Sequence, residues 1–130
     1  VMEVPEAEVS RYGILSPGAR EGGLVEVRGL VEKPAPSMAP SRLAVVGRYI
    51  IEPGVFGELE RKERGAHGEI QLTDSLARRI SHAPFMGLEF EGTRYDCGSK
   101  LGYLQANVAY ALDRSELSDD LRAWLRAELS

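Results

Sequence analysis

The alternation of apolar and polar positions predicts a β-hairpin in the first third of the chain. Residues 9–15 are rich in strand-forming side chains, and residues 24–32 alternate valine with charged residues. Segment 16–23 between them is rich in turn residues and ends in two glycines, so we expect it to form a loop that joins the two strands.

A nearly continuous apolar stretch over residues 43–51 predicts a third strand that is buried on both faces. Residues 34–42 contain three prolines and should form an extended surface loop, because proline has no N–H to donate to a sheet. Pro53 ends the third strand and suits the first turn of a helix that extends to residue 62.

Residues 64–68 are predicted to form a loop. After it, apolar residues at helical spacing predict a helix over 69–80. The remaining elements in chain order are a strand pair (85–90 with 93–97), a helix (100–114) capped by Ser99, and a last helix capped by residues 118–120. Within the helix 100–114, Leu101 and Leu104 are predicted to be buried. Mixed strands and helices indicate an α/β or α+β layer structure.

Composition is that of one globular domain spanning residues 1–130. Of these residues 43% are hydrophobic and 28% are charged, which excludes disordered and collagen-like chains. The formal net charge of −4 gives no support for nucleic-acid binding, which favours a basic surface. The longest purely apolar run, residues 43–46, is far too short to cross a bilayer, so no membrane association is expected.

Cysteine usage favours a reducing compartment. The single Cys97 cannot form an intrachain disulfide, and no secretion signal opens the chain, so we expect a cytoplasmic protein. With only His67 and His82 beside it, a His/Cys zinc site is nearly excluded. Cys97 itself is interpreted as a small buried apolar residue.

Glu32 and Lys33 lie at the end of the second strand, and Pro34 sets the direction in which the chain leaves that strand. A carboxylate there can accept hydrogen bonds from sugar hydroxyls, and an ammonium can pair with a phosphate. An ordinary solvated hairpin end explains the same three residues, and for this motif alone it is the commoner explanation.

Gly13 and Glu69 carry two weaker signals. A glycine inside a strand, as in Arg11-Tyr12-Gly13, lets a ligand approach the backbone, although a β-bulge is the commoner explanation of this motif alone. Glu69 at a helix start suits the helix dipole, with residue 73 or 74 as alternative caps. Capping is the commoner explanation of this second motif.

Asp96 lies at the end of a predicted strand, just before a glycine-containing turn that leads into a helix. In open α/β sheets ligands gather at strand ends, and a carboxylate there can hold Mg²⁺ together with phosphate oxygens. The alternative is an aspartate that only stabilises the turn. Hydrolysis by a catalytic triad is not indicated, because no Ser and His stand in an evident triad arrangement.

Taken in order, these motifs resemble the C-terminal half of bacterial UTP–glucose-1-phosphate uridylyltransferases (UDP-glucose pyrophosphorylases). Glu-Lys-Pro alone occurs across sugar nucleotidyltransferases. Three longer stretches are more specific: Leu-Ala-Val-Val-Gly-Arg-Tyr at 43–49, Glu-Ile-Gln-Leu-Thr-Asp at 69–74 and Asp-Cys-Gly-Ser-Lys-Leu-Gly-Tyr at 96–103. The resemblance covers most of residues 10–112 and implies a Rossmann-like nucleotide-diphospho-sugar transferase fold with a mixed sheet, hairpins and C-terminal helices.

The resemblance also implies a reaction, in which glucose 1-phosphate attacks the α-phosphorus of UTP and pyrophosphate leaves, giving UDP-glucose. Carried over by motif, Glu32 would bind glucose hydroxyls, Lys33 would hold the sugar phosphate as the catalytic cation, and Gly13 would offer its backbone to the sugar. Asp96 would be a Mg²⁺ ligand. Glu69 would either contact the sugar side or only order the helix start.

The family's N-terminal Leu-x-x-Gly-x-Gly-Thr-Arg loop, which holds the nucleotide phosphates, does not occur in this sequence. We therefore expect a sugar-phosphate-binding portion that is inactive alone. Two alternatives stay open: a non-catalytic module that binds sugar phosphate or self-associates, and a related transferase for another sugar or nucleotide. A homo-oligomer is expected, because an exposed strand at 43–51 would invite pairing with a second copy.

Overall fold

A computed structural model describes residues 1–65 and 68–130 and divides the chain into two compact units, Val1–Phe90 and Glu91–Ser130. The expectation of a single domain stays a prediction. The α/β class is confirmed. None of the helices among the described residues is long and apolar enough to cross a membrane.

The first unit is a five-stranded sheet with short helices. The elements in chain order are β1 (Met2–Glu3), a 3₁₀ helix (Glu6–Arg11), β2 (Gly13–Glu21), β3 (Leu24–Glu32), a 3₁₀ helix (Pro36–Met38), β4 (Leu43–Ala44), α1 (Gly54–Glu60), α2 (Leu72–Arg79) and β5 (Met86–Leu88). The strands, in the spatial order β1-β4-β2-β3-β5, all pair antiparallel in the described residues.

The predicted hairpin is confirmed, and β3 has the predicted bounds. Gly22 and Gly23 form its turn with φ of 57° and 80°, a conformation that glycine adopts without steric cost. Segment 16–21 was expected to be loop but belongs to β2, because irregularities in register around Pro17 accommodate a residue that cannot donate to the ladder. Residues 9–11, expected in a strand, lie in a 3₁₀ helix.

The prediction of a strand over residues 43–51 is wrong beyond Ala44. Val45 still donates its N–H to the carbonyl of Gly13 at 2.9 Å, but Gly47 has a φ of 79°, which is incompatible with a continuing strand. Leu43 and Ala44 are buried, whereas Ile50 is fully exposed. The apolar run therefore divides between the core and the surface.

The sheet curls so that its two edges meet. The amino group of Val1 donates to the carbonyl of Leu88 in β5 at 2.6 Å, and the Phe90 N–H donates to the carbonyl of Val1 at 3.4 Å. The main core lies between the sheet and the two helices and contains buried side chains from both: Leu15, Val25, Val27, Leu30, Leu43, Val55 and Leu76. The ends of β2 and β3 are thereby held against α2.

The helix predicted after Pro53 is present as α1, with Pro53 at its N-cap. The helix predicted over 69–80 is α2, which begins three residues later than expected. The predicted loop at 64–68 includes residues 66 and 67, which lie outside the described residues. Of the predicted strand pair, 85–90 contains β5, but β5 pairs with β3 and residues 93–97 form no strand.

The second unit is a helix pair, α3 (Lys100–Leu112) and α4 (Ser115–Glu128). Ser99 caps α3 as predicted, since its side chain accepts the Gly102 N–H at 3.0 Å. α4 begins at Ser115, so the predicted cap at residues 118–120 is wrong. Leu101 and Leu104 were expected to be buried but are 67% and 60% exposed.

Candidate functional site

Two of the sequence motifs meet at the end of the hairpin. Gly13 of β2 is the register partner of Glu32 of β3, and the Lys33 N–H donates to the carbonyl of Tyr12 at 3.0 Å. These antiparallel contacts place Arg11-Tyr12-Gly13 directly beside Glu32-Lys33-Pro34. The segments are about twenty residues apart in sequence and become neighbours because the hairpin pairs them.

Glu32 is the most constrained carboxylate of this cluster. Only 13% of its side chain is exposed. One oxygen, Oε2, accepts a hydrogen bond of 2.6 Å from the hydroxyl of Thr73, and the other, Oε1, lies 3.8 Å from Nζ of Lys33. A largely buried carboxylate needs such partners, because desolvating the charge is costly. Glu32 is therefore not an ordinary solvated residue at the end of a hairpin.

Gly13 leaves room next to this carboxylate. A Cβ at this position would lie 3.1 Å from Oε2 of Glu32 and 3.4 Å from both Oγ1 and Cγ2 of Thr73. The 3.1 Å distance is tighter than ordinary contacts and the other two are at their lower limit, so a larger residue would push against the Glu32–Thr73 hydrogen bond. The carbonyl of Gly13 accepts a hydrogen bond from the Val45 N–H, and the register of β2 is regular at Gly13. Close approach, rather than a bulge, is therefore the reason for glycine here.

Lys33 has an unusual backbone. Its φ is 45°, in the left-handed region that non-glycine residues seldom adopt, and it immediately precedes the buried Pro34. Proline disfavours helical conformations at the residue before it, so this position is strained. The side chain is 43% exposed. Its ammonium is thus held at the hairpin end but can still reach a solvent-borne anion.

Tyr49 lies near the same carboxylate. It was not among the site residues predicted from the sequence. Partial burial raises the pKa of its phenol, and the negative charge of Glu32 raises the pKa further, because both disfavour the phenolate. Gly47, with its positive φ, turns the chain just before Tyr49. The Leu-Ala-Val-Val-Gly-Arg-Tyr stretch thus contributes a side chain to the surroundings of Glu32.

Replacing Glu32 with glutamine should lower the pKa of Tyr49, although not to its usual range, since burial is the larger cause. The titration can be followed by NMR on tyrosine labelled at the ring carbon that bears the hydroxyl, with Tyr49→Phe to assign the signal. Glu26→Gln, which removes a carboxylate elsewhere on β3, serves as a control and should leave the pKa of Tyr49 unchanged. An unaltered Tyr49 titration in Glu32→Gln would show that the two groups do not interact.

Glu69 lies before α2 rather than at its start. The helix begins at Leu72 with Gln71 at the N-cap, and no side-chain cap is present among the described residues, so the predicted capping by residue 69, 73 or 74 is not observed there. The carboxylate of Glu69 accepts a hydrogen bond of 3.1 Å from Nε2 of Gln71. The residue is exposed. Its proposed contact with the sugar stays a prediction.

Asp96 belongs to the second unit, where it stabilises a turn. Its Oδ1 accepts the Gly98 N–H at 3.1 Å, and its carbonyl accepts both the N–H and the hydroxyl of Ser99, at 3.1 Å and 3.0 Å. The turn function considered from sequence is therefore present. A role as a metal ligand, and convergence with Lys33 of the other unit, stay predictions.

The described residues contain no group of three His, Cys, Asp or Glu side chains that could hold a metal. Asp96 offers one partly buried carboxylate. That donor suits Mg²⁺, which is commonly bound through one or two carboxylates with phosphate oxygens and water completing the octahedron. Neighbouring Cys97 is a free, exposed thiol, so its interpretation as a buried apolar residue is wrong.

Comparison with known proteins agrees with the motifs. Residues 1–112 match the sequence profile of the family described as nucleotidyl transferase. The UTP–glucose-1-phosphate uridylyltransferase of Staphylococcus epidermidis is 47% identical over 126 residues, which are 97% of this chain and 44% of that protein. The enzyme of the same name from Komagataeibacter xylinus is 48% identical over 127 residues, 98% of this chain and 42% of that protein.

Solved structures agree as well. A UDP-glucose pyrophosphorylase complexed with UDP-glucose superimposes with a TM-score of 0.82 at 42% identity, covering 87% of this chain and 43% of that one. The UTP-bound enzyme of Acinetobacter baumannii superimposes with a TM-score of 0.80 at 36% identity. This match covers 95% of this chain and 42% of the other. The resemblance to UTP–glucose-1-phosphate uridylyltransferases is thus confirmed at the level of the family, and the chain spans less than half the length of the relatives it matches. Its assignment to their C-terminal half stays a prediction.

Proposed function

We propose, from the premise that the chain belongs to the nucleotidyl transferase family, that it supplies the glucose 1-phosphate side of a UTP–glucose-1-phosphate uridylyltransferase. The observation that carries the proposal is the cluster at the hairpin end, in which Gly13, Glu32 and Lys33 lie side by side and Glu32 is largely buried. The names of the relatives support the choice of glucose 1-phosphate and UTP as substrates.

In this proposal each member of the cluster has a distinct task. Glu32 accepts hydrogen bonds from glucose hydroxyls, which a carboxylate can do with both oxygens. The ammonium of Lys33 pairs with the sugar phosphate, and it neutralises charge as that phosphate attacks UTP. Gly13 lets the sugar approach the backbone of β2. Glu69 lies three residues before α2, where it either meets the sugar or orders the helix start.

Asp96 is proposed as the residue of this chain that holds Mg²⁺. When bound, Mg²⁺ would supply positive charge to phosphate oxygens, and Asp96 would hold it through its carboxylate. A carboxylate has about four acceptor positions, so accepting the Gly98 N–H at Oδ1 does not by itself prevent Asp96 from serving as a metal ligand. A cytoplasmic location and a homo-oligomeric state belong to the proposal as well, the former supported by the free thiol of Cys97.

Two other functions stay open. The chain could be a non-catalytic module that binds a sugar phosphate, or part of a transferase for another sugar or nucleotide. The relatives named above carry the glucose 1-phosphate and UTP specificity in their names, and that favours the first proposal. Binding of glucose 1-phosphate by the chain without any turnover in a longer protein would favour the module.

A full-length enzyme, meaning a protein of the relatives' length that contains this chain, should form UDP-glucose and pyrophosphate from UTP, glucose 1-phosphate and Mg²⁺. The 130 residues alone should not, because no Gly-x-Gly-Thr-Arg loop is present in them to hold the nucleotide phosphates. Coupled pyrophosphate release measures both, with galactose 1-phosphate and dTTP as alternative substrates. Faster turnover of an alternative substrate, or turnover by the 130 residues alone, would contradict the proposal.

A further inference from the structure

The hydroxyl of Thr73 has no task in the function proposed above. Thr73 lies in the first turn of α2, is 6% exposed, and donates to Oε2 of Glu32 at 2.6 Å. The sequence motif suggested a helix cap at this residue, yet the part of the chain that the structure describes shows no side-chain cap. A buried hydroxyl aimed at a buried carboxylate 41 residues away in sequence calls for another explanation.

The contact restricts what the Glu32 carboxylate can do. A glutamate side chain has three rotatable torsions and loses substantial rotamer freedom when held in place. The short hydrogen bond from Thr73 engages Oε2, whereas the ammonium of Lys33 lies 3.8 Å from Oε1, beyond normal hydrogen-bond distance. Oε1 therefore keeps its orientation through Thr73 and retains capacity to accept a hydrogen bond from a ligand.

α2 is fixed firmly enough to act as the support. Leu76 is in the main core, on the same helix as Thr73. Arg79 at the end of the helix donates from Nε and Nη2 to Oε1 of Glu52 at 2.9 Å and 2.6 Å, and Arg78 donates to Oε2 of Glu58 at 3.1 Å. These contacts hold α2 to α1 and to the segment before it, so the Thr73 hydroxyl is presented from a rigid element.

We infer that Thr73 is a positioning residue, which holds the Glu32 carboxylate in the orientation that binds the glucose hydroxyls. The inference rests on the proposed function for the identity of the ligand. It assigns to the Glu-Ile-Gln-Leu-Thr-Asp stretch a defined task, the support of the sugar-binding carboxylate from α2. Gly13 is part of the same arrangement, because a side chain there would press on both partners.

The test compares Thr73→Val, which keeps the shape but cannot donate, with Thr73→Ser, which keeps the hydroxyl, in the full-length enzyme. Thr73→Val should raise the KM for glucose 1-phosphate about tenfold, the effect of losing one hydrogen bond to a charged group, and Thr73→Ser should recover most of it. The KM for UTP and kcat should change less than about twofold, because the contact orients a group that binds only the sugar.

Ser75→Ala is the matched control. Ser75 is a fully buried hydroxyl on the same helix and has no bond to Glu32, so its removal should leave the KM for glucose 1-phosphate unchanged. An unchanged KM in Thr73→Val would overturn the inference. Equal increases in both KM values, or the same increase in Ser75→Ala, would also overturn it, since they would indicate general loss of structure.

A readout without turnover separates the two proposals. Side-chain couplings and relaxation of Glu32 measured by NMR should show a single rotamer in the wild type and in Thr73→Ser, and averaging among rotamers in Thr73→Val. If the wild-type enzyme forms no UDP-glucose yet this difference is found, the proposed function fails and the support of Glu32 by Thr73 stands. A single Glu32 rotamer in Thr73→Val would refute the positioning role whatever the substrate.

Discussion

Replacing Lys33 with alanine in the full-length enzyme should cost about 2–4 kcal/mol of transition-state stabilisation, or about 30- to 1,000-fold in kcat/KM. The ammonium stands at the hairpin end beside Glu32, 43% exposed, where it can pair with the phosphate of the sugar. Its charge matters most when phosphate oxygens carry the developing charge of the transfer. Steady-state kinetics with glucose 1-phosphate and UTP measure the effect.

Lys62→Ala is a close control for this substitution. Lys62 also has a positive φ, 53°, and is also exposed, but it lies in the loop after α1 and makes no contact with Glu32. Both alanine variants remove one positive charge from a strained backbone position, so only a specific role distinguishes them. Equal kinetics in the two variants would return Lys33 to the status of an ordinary surface residue.

Replacing Asp96 with asparagine should lower the activity about a hundredfold or more while leaving the free energy of unfolding nearly unchanged. The amide oxygen of asparagine can still accept the Gly98 N–H, so the turn before α3 is kept. What disappears is the negative charge with which Asp96 is proposed to hold Mg²⁺. Raising the Mg²⁺ concentration should therefore recover part of the rate, which a magnesium titration of kcat/KM detects.

Asp120→Asn tests whether charge alone explains the effect. Asp120 is exposed on α4, and its replacement removes the same charge from the same unit. We expect wild-type kinetics and an unchanged magnesium dependence for it. If Asp96→Asn also behaves like the wild type, the aspartate serves only the turn; if it unfolds the protein, thermal denaturation will show that its main contribution is structural.

Two elements whose signals lie within a few residues agree with prediction. β3 has the expected bounds, because its valine alternation and the glycine pair before it are local features. Ser99 caps α3 through a hydrogen bond that spans only three residues. The four site segments were likewise recognisable as linear motifs, and the family could be identified from them without any knowledge of their spatial arrangement.

Predictions that depended on distant partners were less successful. An apolar run at 43–51 resembles a buried strand locally, but the structure places only Leu43 and Ala44 between two neighbouring strands, and Gly47 then turns the chain. Residues 93–97 have strand-forming side chains but form no strand. Whether an apolar segment forms a strand depends on the edge available to it, and that edge is supplied by other parts of the chain.

The same reasoning applies to the site. Glu32 and Lys33 are neighbours in the sequence, so their joint role as a sugar and phosphate ligand could be proposed from the motif. The hydrogen bond from Thr73 to Glu32 could not be predicted from the sequence, because 41 residues separate the two and no local motif indicates their contact. Packing of α2 against the hairpin brings them together, and it is this non-local contact that converts a common surface motif into an oriented, largely buried carboxylate.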